Sequence, residues 1–175
     1  MEVLIITDLL LSMNSTHVVG IEPVIQISED KETFYPAKVV YVEKKFDLAL
    51  LSTEYKKKIP KISWMGRLGL QINDPIFVIA SPLGLINSFM KGYISQIERL
   101  KYDLQFPEIP YIQTYGTSFE GVSGAAVYSA NGSVIGLNRA TFGTSFGNSF
   151  GLVVHVEFIH VFFKEAGKAG VDFTY

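Results

Sequence analysis

The sequence predicts an all-β protein with a single helix near its end. Many short apolar runs are separated by turn residues, and strand and helix patterns do not alternate along the chain. Helical spacing of apolar residues occurs only after residue 157. A chain of 175 residues favours one domain of ordinary size. Short strands with frequent turns are typical of an antiparallel barrel or sandwich.

The apolar runs predict the following strands: 3–6, 9–13, 23–28, 35–43, 48–51, 76–80, 111–114, 125–128, 133–137 and 152–156. The first two form a hairpin, and a charged turn at 29–32 separates the next two. Residues 85–99 predict two short strands with a break near Lys91-Gly92. The Asn131-Gly132 pair is the strongest hairpin signal in the chain. The apolar face of the final helix is predicted to consist of Ile159, Phe162, Phe163 and Ala166.

Composition excludes several kinds of site. The formal net charge of -2, with no basic stripe, argues against a nucleic-acid partner. The absence of cysteine removes disulfides, thiol nucleophiles and cysteine zinc sites. No apolar run is long enough for a membrane span. No signal peptide is recognisable, so we expect a cytoplasmic protein if Met1 is native and an extracytoplasmic one if the chain is an excised mature domain.

The segment Glu120-Gly121-Val122-Ser123-Gly124-Ala125 places a serine between glycines. Such a chain turns sharply, exposes a hydroxyl and lets backbone N–H groups converge beside it. That geometry suits acyl transfer, in which the hydroxyl attacks a carbonyl and the N–H groups stabilise the oxyanion. By itself, the segment is more often an ordinary turn.

Two further residues are candidates for the same chemistry. His17 follows a predicted strand, where a lone histidine is more often structural. Asp47 opens an apolar run, where an aspartate is commonly an exposed turn residue. With Ser123 they occur in the order His, Asp, Ser, which is one of the known orders of a serine-protease triad. The order and the β pattern together favour catalysis over coincidence.

Further segments carry a family resemblance. They are Asn14-Ser15-Thr16-His17-Val18-Val19, Phe46-Asp47-Leu48-Ala49-Leu50, Ala80-Ser81-Pro82-Leu83-Gly84, Tyr111-Ile112-Gln113-Thr114, Gly121-Val122-Ser123-Gly124-Ala125 and Gly132-Ser133-Val134-Ile135-Gly136-Leu137-Asn138. In this order and spacing the chain resembles trypsin-fold serine proteases, and within them the high-temperature-requirement (HtrA/Deg) group. The family's Gly-Asn-Ser-Gly-Gly is Gly-Val-Ser-Gly-Ala here.

The resemblance implies two antiparallel barrels of the six-stranded type with a C-terminal helix, the first barrel lacking its first strand. The first barrel, about residues 1–75, would carry His17 and Asp47. The second, about 76–156, would carry Ser123, and the helix would span about 157–168. The resemblance leads us to expect a single protease domain without a following peptide-binding PDZ domain.

The resemblance also implies roles for site residues. His17 would be the general base, Asp47 its orienting carboxylate and Ser123 the nucleophile of a serine endopeptidase. The oxyanion hole would comprise Gly121, Val122 and Ser123, with Val122 supplying the loop between two N–H donors. Substrate-binding residues would be Arg139, Ala140 and Thr141 on a strand edge and Thr117 near the base of the specificity pocket.

Two alternatives stay open from sequence. One is a trypsin-fold protein that binds peptides or partners and cleaves weakly or not at all. The other is an unrelated β-barrel or sandwich binding module with a coincidental Gly-x-Ser-Gly. In the protease interpretation the substrates are polypeptides other than those with a basic residue before the cleaved bond. The sequence implies no cofactor and no metal, and nothing in it supports an oligomer.

Overall fold

The computed structural model describes residues 3–6, 9–13, 24–27, 30–55, 61–143 and 149–172, with side chains at 35–55, 61–141 and 150–172. The strands of the first half are β1 (Val3–Ile6), β2 (Leu9–Met13), β3 (Val24–Ile27), β4 (Asp30–Glu43) and β5 (Leu48–Thr53). Those of the second half are β6 (Pro75–Ala80), β7 (Ser88–Arg99), β8 (Tyr111–Tyr115), β9 (Ala126–Ser129), β10 (Val134–Gly143) and β11 (Ser149–His155). One α-helix follows, α1 (Val156–Lys168). The all-β class with a C-terminal helix is confirmed.

The first half forms an antiparallel sheet in the order β1-β2-β5-β4-β3. The predicted hairpin of β1 and β2 is confirmed by its register, in which Val3 faces Ser12. The predicted charged turn at 29–32 was too long, because β4 already begins at Asp30. A register shift in β3 brings Ile27 opposite Asp30, so the chain reverses more tightly than the charges suggested. The division into barrels at about residue 75 stays a prediction.

The second half forms a closed antiparallel barrel in the order β10-β11-β8-β7-β6-β9. The hairpin predicted at Asn131-Gly132 joins β9 to β10, and Gly132 adopts φ +83°. Closure removes the exposed edges that an open sheet would leave. Leu70, Ile94, Val122, Val127 and Ile135 belong to the buried cluster that fills the barrel.

The predicted break at Lys91-Gly92 was wrong, because one twelve-residue strand, β7, runs from Ser88 to Arg99. Gly92 lies within this strand, where a Cβ atom would stand 1.9 Å from the carbonyl oxygen of Tyr115. The glycine therefore permits a close approach of two backbones and does not end the strand.

The helix packs its predicted apolar face onto both β units. The shared core has these buried members: Phe46, Leu48, Leu50, Ile109, Tyr111, Ala126, Val134, Leu137, Leu152, Val154, Ile159, Phe162, Phe163 and Ala166. Burying one large apolar side chain contributes about 1.5–3 kcal/mol to folding. Because Phe46 belongs to this core, the turn before β5 is packed against the barrel and the helix. In the part of the chain that the structure describes, no helix is long and apolar enough to cross a membrane.

His155 begins the helix, a role that the sequence did not reveal. Its side chain is buried, and Nδ1 accepts a hydrogen bond from the N–H of Glu157 at 3.3 Å. Burial lowers the pKa of His155 to about 4, while the Glu157 carboxylate acts in the opposite direction and Arg67 and His160 add to the lowering. The native state therefore favours the neutral imidazole, which is the form that can cap the helix.

We expect acid to destabilise the protein through His155. Because the native pKa is lower than that of the unfolded chain, the unfolded state binds more protons between about pH 6.5 and pH 4, and the free energy of unfolding falls by about 3 kcal/mol over that window. Denaturant unfolding at several pH values measures the fall. A His155→Asn variant keeps a cap acceptor but cannot titrate, so its loss should be smaller. Equal losses in both proteins would exclude this role of His155.

Candidate active site

The serine turn is anchored at both ends by backbone hydrogen bonds. Gly124 N–H donates to the carbonyl of Asn138 at 2.8 Å, and Asn138 N–H donates to that of Ala125 at 2.9 Å. Gly121 and Gly124 have φ of +95° and +92°, a region that favours glycine. Ala125 is not among the described residues with positive φ, so its methyl group is accommodated at the fifth position of the motif.

Val122 fixes the turn to the barrel because its side chain is buried in the barrel interior. Its N–H donates to the carbonyl of Phe119 at 3.3 Å, and its carbonyl accepts from Ala125 N–H at 3.0 Å. The valine thus replaces a polar side chain of the family pattern with an apolar anchor. The adjacent Ser123 is only partly buried.

Gly121 packs against the turn formed by Ser81–Gly84. A Cβ atom at Gly121 would lie 3.2 Å from the carbonyl oxygen of Ser81 and 3.3 Å from the nitrogen of Leu83. The carbonyl of Glu120 accepts a hydrogen bond from Leu83 N–H at 3.0 Å. Because a trans peptide directs its C=O and N–H to opposite sides, the N–H of Gly121 points away from that turn. Within the described residues, no backbone carbonyl accepts from the N–H of Gly121 or Ser123.

Asp47 is buried, with 1% of its surface exposed, so the interpretation as an exposed turn residue was wrong. It ends the turn from Lys44, to whose carbonyl its N–H donates at 3.3 Å, and it has φ of 54°. Aspartate is one of the few side chains that tolerate this region. Leu48 and the next three residues of β5 are also buried, so Asp47 leads directly into a buried strand.

Arg139 connects Asp47 to the serine turn. Its Nε lies 3.0 Å from Oδ2 of Asp47, and both side chains are almost fully buried. Its carbonyl oxygen accepts a hydrogen bond from Ser123 Oγ at 3.3 Å. The Asp47 carboxylate and the Ser123 hydroxyl therefore contact the same residue of β10, one through its side chain and the other through its backbone carbonyl.

The irregular segment between β7 and β8 supplies the other described contacts of the Arg139 guanidinium. Nη2 donates to Oε1 of Gln105 at 2.9 Å and lies 3.6 Å from Oδ2 of Asp103. The guanidinium carbon stands 4.9 Å from the ring centre of Phe106. The Tyr111 hydroxyl donates a hydrogen bond to Asp103 at 3.2 Å. Burial raises the pKa of Tyr111, and the Asp103 carboxylate raises it further. The tyrosine is therefore a neutral hydrogen-bond donor.

Sequence reasoning missed this cluster around Arg139. It placed Arg139 on the strand edge that would pair with substrate, which stays a prediction, and it did not foresee that the side chain turns inward to Asp47. A signal was present, since an arginine in the apolar run of β10 requires a buried counterion. The identity of that counterion depends on contacts between distant segments.

The predicted specificity region is built from small hydroxyl side chains. Thr117 is buried, and its Oγ1 donates to Oγ1 of Thr114 at 3.3 Å. Ser118 Oγ shares a hydrogen bond of 2.8 Å with Oγ1 of Thr141. A Cβ atom at Gly151 would stand 2.6 Å from Thr114 Oγ1, so this strand approaches the region closely.

Beyond Leu137, strand β10 pairs with β11 alone, because its register with β9 ends at that residue. A bulge between Asn138 and Ala140 changes the register there. The carbonyls of Arg139 and Ala140 accept the Ser123 and Ser118 hydroxyls. Ala140 and Thr141 therefore lie on a strand with one side unpaired by another described strand.

The structure brings Asp47, Ser123, the two glycines of the turn and Arg139 into one connected arrangement. His17 lies outside the described residues, so the complete triad stays a prediction. Among the residues that the structure describes, no group of three or more His, Asp or Glu side chains is arranged to hold a metal ion.

The chain matches a known protein family. Residues 4–137 match the description of a trypsin-like peptidase domain. The chain belongs to that family. This trypsin-like peptidase domain is 29% identical over 140 residues to serine protease HTRA1 of Xenopus tropicalis. The alignment covers 78% of this chain and 30% of the relative. It is also 29% identical over 136 residues to the periplasmic serine endoprotease DegP of Salmonella typhimurium, covering 78% of this chain and 28% of the relative.

A solved structure agrees with these relatives. The HtrA-type protease AlgW, determined with a decapeptide, superposes with a TM-score of 0.82 at 25% identity, covering 94% of this chain and 50% of that one. The resemblance to the HtrA group is confirmed. The chain spans less than a third of the length of the two curated relatives.

Proposed function

We propose that this trypsin-like domain is a serine endopeptidase that uses Ser123 as nucleophile, His17 as general base and Asp47 as the carboxylate that orients it. The observation that carries the proposal is the turn at 121–124. It combines a partly exposed hydroxyl with positive φ at Gly121. The N–H groups of Gly121 and Ser123 donate to no backbone carbonyl among the described residues. The family's curated relatives are named as serine proteases, which supports the same activity.

In the proposed reaction, His17 accepts the proton of Ser123 Oγ as that oxygen bonds to the substrate carbonyl carbon. The carbonyl π electrons move to oxygen, and the N–H groups of Gly121 and Ser123 stabilise the oxyanion while Val122 holds the loop in place. Collapse of the intermediate breaks the C–N bond, and His17 returns the proton to the leaving amine. Water then repeats the sequence and releases the acyl group from Ser123.

The proposed substrate is an extended polypeptide that pairs with β10 at Arg139, Ala140 and Thr141. The structure of AlgW with a decapeptide supports a peptide ligand for the fold. Thr117 forms the proposed base of the specificity pocket, where the described neighbours offer hydroxyls and no carboxylate. A small or apolar side chain before the cleaved bond fits these surroundings better than lysine or arginine.

Gly121→Ala tests the proposal at the turn that carries it. The parent should cleave casein, and the variant should lose about 10²–10³ in kcat because a side chain at φ +95° and 3.2 Å from Ser81 O moves the oxyanion donor. Gly132→Ala is the matched control. Gly132 also has positive φ, but nothing lies within 4 Å of its added Cβ.

Initial rates of casein cleavage, followed by release of soluble peptides, measure both variants against the parent. Circular dichroism establishes that each is folded. A folded parent without casein cleavage, or a Gly121→Ala variant as fast as Gly132→Ala, would contradict the proposal.

A further inference from the structure

The proposed triad carboxylate has a buried partner that the proposed mechanism does not use. Arg139 Nε lies 3.0 Å from Oδ2 of Asp47, and the arginine is 9% exposed. A buried guanidinium beside a catalytic carboxylate acts on more than position, because its full positive charge opposes any positive charge that develops nearby. The imidazole of His17 becomes positive in the proposed reaction.

A second carboxylate, near Nη2, offsets part of the guanidinium charge. Asp103 is buried, lies 3.6 Å from Nη2 of Arg139 and accepts hydrogen bonds from the Tyr111 hydroxyl and the Gln105 N–H. Together, Asp47, Arg139 and Asp103 carry two negative charges and one positive charge. Lys44 and Lys45, which belong to the turn before Asp47, are exposed and therefore act through water.

We propose that Arg139 is a positioning residue that shares Asp47 with His17 and lowers the basicity of that imidazole, and that Asp103 sets the size of the effect. The inference rests on the proposed triad. The described contacts of the Arg139 side chain do not include the Ser123 hydroxyl, so in this proposal it acts through Asp47. The segment containing Asp103, Gln105 and Phe106 holds the guanidinium in place.

The two charges predict shifts of opposite sign in the His17 pKa. Arg139→Gln removes the positive charge and should raise it, whereas Asp103→Asn removes a negative charge and should lower it. Each shift should be on the order of one pH unit at the effective dielectric of a buried site. The double variant restores the net charge of the parent cluster and should titrate close to the parent.

Titration of the three histidines by NMR measures these values without any catalytic turnover. The His17 signal is identified by its loss in His17→Gln. Opposite shifts in the single variants, with partial or full recovery in the double variant, would support the proposal. Unchanged values, or shifts of the same sign, would overturn it, because a purely structural role predicts no such pattern.

Asp47→Asn separates failure of this inference from failure of the proposed function. A lowered His17 pKa in Asp47→Asn with unchanged Arg139→Gln and Asp103→Asn values would leave the triad intact and exclude the role of Arg139. No shift in Asp47→Asn would exclude the triad itself, and this inference with it. If Arg139→Gln does not fold, Asp103→Asn still decides, because it removes the charge while keeping the size of the side chain and one of its two acceptor oxygens.

Discussion

Replacing Ser123 with alanine is expected to lower kcat for peptide hydrolysis by about 10⁶, to the level of background. The hydroxyl oxygen is the only non-hydrogen atom lost. In the described structure, the hydrogen bond of this hydroxyl is the long contact to the Arg139 carbonyl at 3.3 Å. The fold should therefore survive, because the buried Val122 side chain and the backbone hydrogen bonds of Asn138 with Gly124 and Ala125 anchor the turn independently of the hydroxyl. Cleavage of a quenched fluorescent peptide measures the rate.

Ser133→Ala provides the matched serine control. Ser133 is buried just before β10, outside the serine turn, and it shares a 3.0 Å hydrogen bond with Ser63. Its loss should cost some stability and leave kcat near that of the parent. If Ser123→Ala and Ser133→Ala reduce the rate by the same factor, the nucleophile assignment is wrong.

Asp47→Asn is expected to produce the second largest loss, about 10⁴ in kcat. The asparagine keeps the shape of the side chain but cannot hold the imidazole as the tautomer that accepts the serine proton. It also leaves the buried guanidinium of Arg139 with Asp103 as its remaining anionic partner, so the free energy of unfolding should fall as well.

The two effects of Asp47→Asn can be separated by measurement. Denaturant unfolding gives the stability loss, and rates taken well below the unfolding transition give the catalytic loss. Asp74→Asn is a suitable control, since Asp74 also lies just before a strand and, within the described residues, the side-chain hydrogen bond that it accepts is a local one from Gln71 N–H. A kcat for Asp47→Asn equal to that of Asp74→Asn would remove Asp47 from the mechanism.

Elements governed by local pattern could be predicted from the sequence. The hairpin at Asn131-Gly132 and the inward face of the final helix were specified by neighbouring residues, and both are confirmed. The break at Gly92 was wrong because glycine has two uses, and only the distant carbonyl of Tyr115 shows which one applies. The early start of β4 at Asp30 likewise depends on its pairing with β3.

The candidate site was predictable in its parts and not in its connections. Residue order and the glycines around Ser123 pointed to the nucleophile and to Asp47. The burial of Asp47 and its ion pair with Arg139 join residues 92 positions apart in sequence, counted from 47 to 139. Such contacts follow from the packing of the first sheet against the barrel, which no local pattern encodes. His17 lies outside the described residues and stays a prediction.

Labelling with a fluorophosphonate probe, read by intact mass and peptide mapping, tests the central claim most directly. Phosphonylation requires an activated hydroxyl and oxyanion donors together, so it reports the assembled site without knowledge of the substrate. We predict one adduct per chain, located on Ser123 and absent from Ser123→Ala. A folded parent that forms no adduct, or an adduct that persists in Ser123→Ala, would contradict the account.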